Sequence, residues 1–72
     1  MIKYNNYYQK LGKNIRMLRK ARKLTQENLA NVLGISQPVY QGKETGRIKF
    51  HVHELHMLCN LFGISVDSIL PK

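Results

Sequence analysis

Gln37 and Gln41 stand about one helical turn apart, and each carries an amide with a donor beside an acceptor. That is the group that pairs bidentately with adenine N6 and N7 at a base edge. Pro38 beside Gln37 has no N–H, which costs nothing in a first helical turn, and its ring suits contact with a thymine methyl. Arg47 and Lys49, with Lys43, offer the charges that hold phosphates. Each residue also has an ordinary use: helix capping for Gln37, and a solvated surface for Gln41 and the cations.

His51, His53, His56 and Cys59 form the other chemistry-bearing group. A tetrahedral zinc site wants about four converging ligands. His51 precedes the helix that the pattern predicts, and His53 is expected to point away from Cys59. A core cysteine is therefore the favoured reading, and no metal or cofactor is expected. No Ser/His/Asp or Cys/His constellation and no Gly-rich phosphate loop is present, so an enzyme is not expected either. Tyr4, Tyr7 and Tyr8 suit stacking on a partner, a dimer contact, or packing on the first helix.

Twelve Lys plus Arg against four Asp plus Glu give a net charge of +8 and a pI near 10.0. This is the balance of a protein that binds a polyanion. Glu27, Glu54 and Asp67 fall in the first turns of predicted helices, where the macrodipole favours negative charge, and Glu44 is the only acid elsewhere. The basic residues lie on helices whose apolar faces are needed for the core, which argues against a membrane-surface binder. A lone cysteine, and no apolar run near the ~20 residues of a membrane span, lead to the expectation of a cytoplasmic protein.

The elements that position these groups are helices. Leu11, Ile15, Leu18 and Ala21 keep near-helical spacing, so one domain is expected over residues 10–72. Residues 1–9 are read as an arm or an extension of the first helix, with Asn5 or Asn6 available as a cap. Thr25 is a favoured N-cap before Leu29, Val32 and Leu33; Gly34 then suits a left-handed C-cap, and Ser36 can start the next helix. Gly46 closes that helix, Leu55, Leu58, Cys59, Leu61 and Phe62 mark a fourth ending at Gly63, and Ser65 caps a short fifth before Pro71. The expected architecture is an all-α, compact five-helix domain with a helix-turn-helix formed by helices 2 and 3.

Five blocks in order carry a resemblance to a known family. They are Ile15, Arg16, Leu18, Arg19; then Leu24, Thr25, Gln26, Leu29, Ala30; then Leu33, Gly34, Ile35, Ser36, Gln37; then Glu44 and Gly46; then Leu61, Phe62, Gly63, Ile64, Ser65. Together they resemble the lambda-repressor-like Cro/C1 type regulators, also called the XRE family, over residues 11–70. The resemblance implies that the helix beginning near Gln37 lies in the major groove of duplex DNA. It implies a phosphate contact for Gln26 and a buried structural ion pair between Arg19 and Glu44. It further implies a homodimeric transcriptional regulator, usually a repressor, on a palindromic operator. Ile69 and Leu70 are the candidate dimer surface, and no small-molecule ligand is expected. The same module serves antitoxins and restriction-modification controllers.

Three residues depart from the family pattern. Gly42 lies inside the recognition helix, where glycine costs about 1 kcal/mol against alanine, so Gly42→Ala is expected to raise Tm. Lys43 stands where the family usually has a large apolar residue, with Tyr40 and the lysine stem expected to share its packing. These two suggest a loosely held recognition helix, and a protein-interaction module that has lost DNA reading is the alternative that they raise. Lys23 replaces the glycine that often ends the first helix.

Overall fold

The computed structural model describes the backbone of residues 4–72 and the side chains of residues 6–72. Residues 1–3 and the Tyr4 ring lie outside the described residues, whereas Asn5 and Asn6 both lie inside the first helix, which corrects the capping role expected of them. Among the described residues the elements are α1 (Tyr4–Ala21), α2 (Gln26–Leu33), α3 (Gln37–Glu44), α4 (Val52–Phe62) and a single 3-10 turn at Val66–Ser68. Residues 4–9 are helical and continuous with α1. The expected fifth α-helix is thus corrected to one turn, because few residues separate Gly63 from Pro71. No described helix is long and apolar enough to cross a membrane.

Local chemistry explains the breaks. The Thr25 hydroxyl accepts from Asn28 N at 3.0 Å while the Asn28 side chain accepts from Thr25 N at 2.8 Å, a reciprocal capping pair at the start of α2. Gly34 ends α2 with φ 70°, and Ser36 Oγ accepts from Val39 N at the start of α3. Lys23 also takes a left-handed conformation, φ 57°, doing at the end of α1 what glycine does without strain.

The core is built from Leu11 and Ile15 of α1, Leu29 and Ala30 of α2, Tyr40 of α3, and Leu55, Leu58, Cys59 and Phe62 of α4. Ile69 joins it at 1% exposure, and its carbonyl accepts from Asn14 Nδ2 at 2.8 Å. The assignment of Ile69 to a dimer surface is therefore corrected: its side chain completes the core of its own chain. Leu70 beside it is half-buried against the same cluster.

Gly12 sets the distance between α1 and α3. A Cβ there would overlap the carbonyl oxygen of Glu44, a backbone atom at the end of α3. Gly12→Ala must push the two helices apart and is expected to cost at least ~1–3 kcal/mol. Lys23→Gly should act in the opposite direction, adding about 1 kcal/mol by relieving the left-handed strain. Thermal melts check both: Tm should fall for the first and rise by roughly 4–8 °C for the second. An unchanged Tm for Gly12→Ala would mean that α1 and α3 are not held at this distance.

Candidate nucleic-acid interface

The Glu44 carboxylate is where α1, α2 and α3 meet. Arg19 grips it with two parallel bonds, Nε to Oε2 and Nη2 to Oε1, both 2.9 Å. Tyr40 OH donates to Oε2 at 2.6 Å and Gln26 Nε2 to Oε1 at 3.2 Å. Arg19 is only 7% exposed and spends Nη1 on the Leu24 carbonyl, which fixes the α1–α2 turn as well. Burial alone would raise the pKa of Glu44, but hydrogen bonds from Arg19, Tyr40 and Gln26 outweigh it and hold the carboxyl below 4.5. The same burial and the adjacent carboxylate push the Tyr40 hydroxyl up, so it stays a donor.

The network continues outward to the surface. A carboxylate can only accept, so Gln26 must turn Nε2 toward Glu44 and Oε1 away from it. Gln37 Nε2 donates to that Oε1 at 2.7 Å. The orientation of the Gln37 amide therefore follows from a buried charge, with its own oxygen and second N–H left over by donor count.

A second buried pair anchors the other side of α3. Lys43 Nζ lies 2.8 Å from Glu54 Oε1 and 3.0 Å from the Lys49 carbonyl, with the ring of Phe50 5.9 Å away. At 3% exposure Lys43 cannot reach a phosphate, so its expected phosphate role is corrected. Glu54 also accepts from His51 N at the start of α4. Burial opposes ionisation of Glu54, while Lys43 and the His51 N–H more than restore it, leaving its pKa lowered. Each buried acid is matched by a buried base, so the formal charge of +8 lies outside these pairs.

Gly42 is also corrected. It is buried, its carbonyl accepts from Arg47 N at 2.9 Å and Ile48 N at 3.0 Å, and a Cβ there would stand 2.6 Å from the end of the Ile48 side chain. Alanine there would need the tips of the Ile48 and Arg47 side chains to shift, so the position is packed rather than open to a base. With Tyr40, Lys43 and Glu44 all buried and bonded, α3 is held firmly on its inner face.

The remaining residues assigned from sequence fall as follows. Pro38 and Gln41 are exposed on α3, and Gln37 is half-buried against Gln26. Arg47 and Lys49 are exposed on the loop after α3, and Lys49 Nζ stands 5.6 Å over the Tyr8 ring. Tyr7 and Tyr8 pack edge to face with centroids 5.4 Å apart. The structure thus brings Gln26, Gln37, Arg19 and Glu44 into one connected network and turns Lys43 away from the surface. Arg22 is spent on structure, donating to the Phe62 carbonyl at 2.7 Å. Among the described residues no three His, Cys, Asp or Glu converge as metal ligands, and Cys59 is in the core.

Sequence reasoning missed Gly12, the Tyr40 bond to Glu44 and the Lys43–Glu54 pair. Gly12 had a signal: an isolated glycine inside a helical pattern, beside Leu11 on the inward face, marks close packing.

The chain matches the helix-turn-helix domain family over residues 10–69. It is 45% identical over 56 residues to the uncharacterized HTH-type transcriptional regulator YobD of Bacillus subtilis (strain 168), covering 78% of this chain and 50% of that protein. Antitoxin PezA of Streptococcus pneumoniae serotype 4 is 33% identical over 62 residues, 86% of this chain and 39% of the antitoxin. The chain thus spans about half, or less, of the length of these curated relatives. Among solved structures it is similar to the restriction-modification controller protein C.AhdI from Aeromonas hydrophila, with TM-score 0.78, 27% identity and coverage of 88% of this chain and 96% of that one. The DNA-binding domain of BldD shares the fold at TM-score 0.77 and 23% identity, covering 93% and 97% of the two chains.

Glu44→Ala strands the buried Arg19 charge and should cost roughly 3–5 kcal/mol, read as a lowered Tm; an unchanged Tm would contradict the network. Glu44 and Glu54 both have lowered pKa values in the folded protein. They contribute stability that is fully present above the unfolded value of 4.5 and is lost as pH falls through their lower folded values. Tm followed on acidification should therefore drop below that pH, and a Tm that rises there would reverse the assigned sign.

Proposed function

The chain belongs to the helix-turn-helix domain family, and from that premise we propose that it binds duplex DNA sequence-specifically as a transcriptional regulator. The observation that carries this reading is the Glu44–Gln26–Gln37 relay, which presents an oriented amide at the first turn of α3, beside the exposed Pro38 and Gln41. Adenine N6–H would donate to Gln37 Oε1, and adenine N7 would accept the N–H not used by Gln26. Pro38 and Gln41 flank that amide as further base contacts. Gln26, Arg47 and Lys49 hold phosphates, contacts that set register rather than sequence. The +8 charge supports the sequence-independent share of the affinity.

The proposed action is repression, by a homodimer covering a palindromic site whose half-sites are about one helical turn, ~34 Å, apart. A cytoplasmic location goes with that action. Likeness to PezA and to C.AhdI supports a second reading, an antitoxin or restriction-modification controller circuit built on the same interface. Gly42 and Lys43, which suggested a module without DNA reading, face inward and leave the reading face untouched.

Selection from random duplexes tests the reading. A preferred site should emerge, and log K against log salt should fall with slope about −0.9 per phosphate neutralised. Gln37→Ala should then relax discrimination at one adenine by about 1–3 kcal/mol. Absence of duplex binding at low salt would refute the function, and retained discrimination in the variant would refute the role of Gln37.

A further inference from the structure

Helix α1 begins at Tyr4, whereas the family match opens at residue 10, so Tyr7, Tyr8 and Gln9 stand outside the shared module. This extension packs on the loop after α3. Gly46 in that loop has φ 85°, and a Cβ on it would stand 2.7 Å from both N and Cγ of Gln9, so backbone lies against backbone there. Tyr7 and Tyr8 are half-buried against the core, with their rings edge to face. Lys49, at the end of the same loop, places Nζ 5.6 Å over the Tyr8 ring, within the ~6 Å at which a ring face attracts a cation. Its carbonyl accepts from the buried Lys43 Nζ at 3.0 Å, which anchors the main chain as well. Lys49 is exposed, and among the described residues no carboxylate pairs with it, so the ring is what holds its charge.

We propose that Tyr8 is a positioning residue for duplex binding, its ring holding the Lys49 ammonium ready for a backbone phosphate. This rests on the reading of the chain as a duplex binder with Lys49 as a phosphate ligand. A lysine side chain free in water samples many rotamers, and ordering it on a ligand costs affinity. Here the ordering is done before the ligand arrives. The ring meets one side of the ammonium and leaves N–H donors on the other for phosphate oxygens. Tyr8 acts through Lys49 and need not touch DNA itself.

Tyr8→Leu, which keeps apolar bulk but removes the ring, tests this in two ways. In the free chain, proton NMR should find the Lys49 Cε protons shifted upfield by the Tyr8 ring current, a shift lost in Tyr8→Leu and kept in Tyr8→Phe. On the selected duplex, Tyr8→Leu should raise Kd about two- to tenfold, the cost of ordering one side chain. Base preference and the log–log salt slope should stay as in the wild type, because Lys49 still reaches its phosphate. Lys49→Gln should make that slope shallower by about 0.9, and in its background Tyr8→Leu should change Kd no further. Tyr8→Phe should bind as the wild type does, and circular-dichroism melts establish that the variants fold. An unshifted Lys49 signal, an unchanged Kd in Tyr8→Leu, or an equal loss in both backgrounds overturns the positioning role while leaving duplex binding intact. Failure of the wild-type chain to bind any duplex, with the ring-current shift present, removes the underlying reading and the positioning role with it.

Discussion

The rest of the structure depends on the neutralisation of one buried acid, Glu44. An uncompensated carboxylate in this position would cost several kcal/mol, so the chain must bring Arg19, Tyr40 and Gln26 to it at once. Meeting that demand fixes three helices relative to one another. Gly12 makes the demand tighter, since its missing side chain lets α1 approach the Glu44 backbone so closely that a Cβ would overlap the carbonyl oxygen. Side-chain electrostatics and backbone sterics therefore specify the same α1–α3 distance.

The second buried pair, Lys43 with Glu54, ties the same last turn of α3 to α4. Buried ion pairs are poor sources of net stability, because desolvation offsets most of their attraction. Their geometry is directional, however, and two of them on adjacent residues fix the rotation of a helix only eight residues long. Spending Lys43 and Glu44 inward leaves Pro38 and Gln41 outward, so the buried charges decide which face of α3 a partner meets.

Much of this was legible locally. Thr25, Gly34, Ser36 and Gly63 mark helix ends through their own backbone preferences, and the helix-turn-helix follows from them. Core leucines follow from helical spacing. The Arg19–Glu44 pair was accessible only through family resemblance, since nothing in a separation of 25 residues shows contact. Lys43 was misread for the same reason: its partner Glu54 lies across a loop, and a basic residue on a basic protein is indistinguishable from surface charge until the packing is known. Helix propensity makes Gly42 look like a weak point because it is a local quantity, whereas the Arg47–Ile48 turn that folds back against it is not. Ile69 follows a single 3-10 turn rather than a full helix, and its side chain closes the core.

The central claim is that the buried charge and the surface amide form one unit. A double-mutant cycle of Glu44→Gln with Gln37→Ala, read as discrimination at the contacted adenine, measures it. An amide at position 44 can donate as well as accept, so Gln26 is no longer forced into one orientation and Gln37 loses its bias. The account predicts that Gln37→Ala costs less in the Glu44→Gln background, with a coupling of about 1 kcal/mol. Equal costs in both backgrounds would show that Gln37 reads independently of the buried carboxylate and would contradict the account.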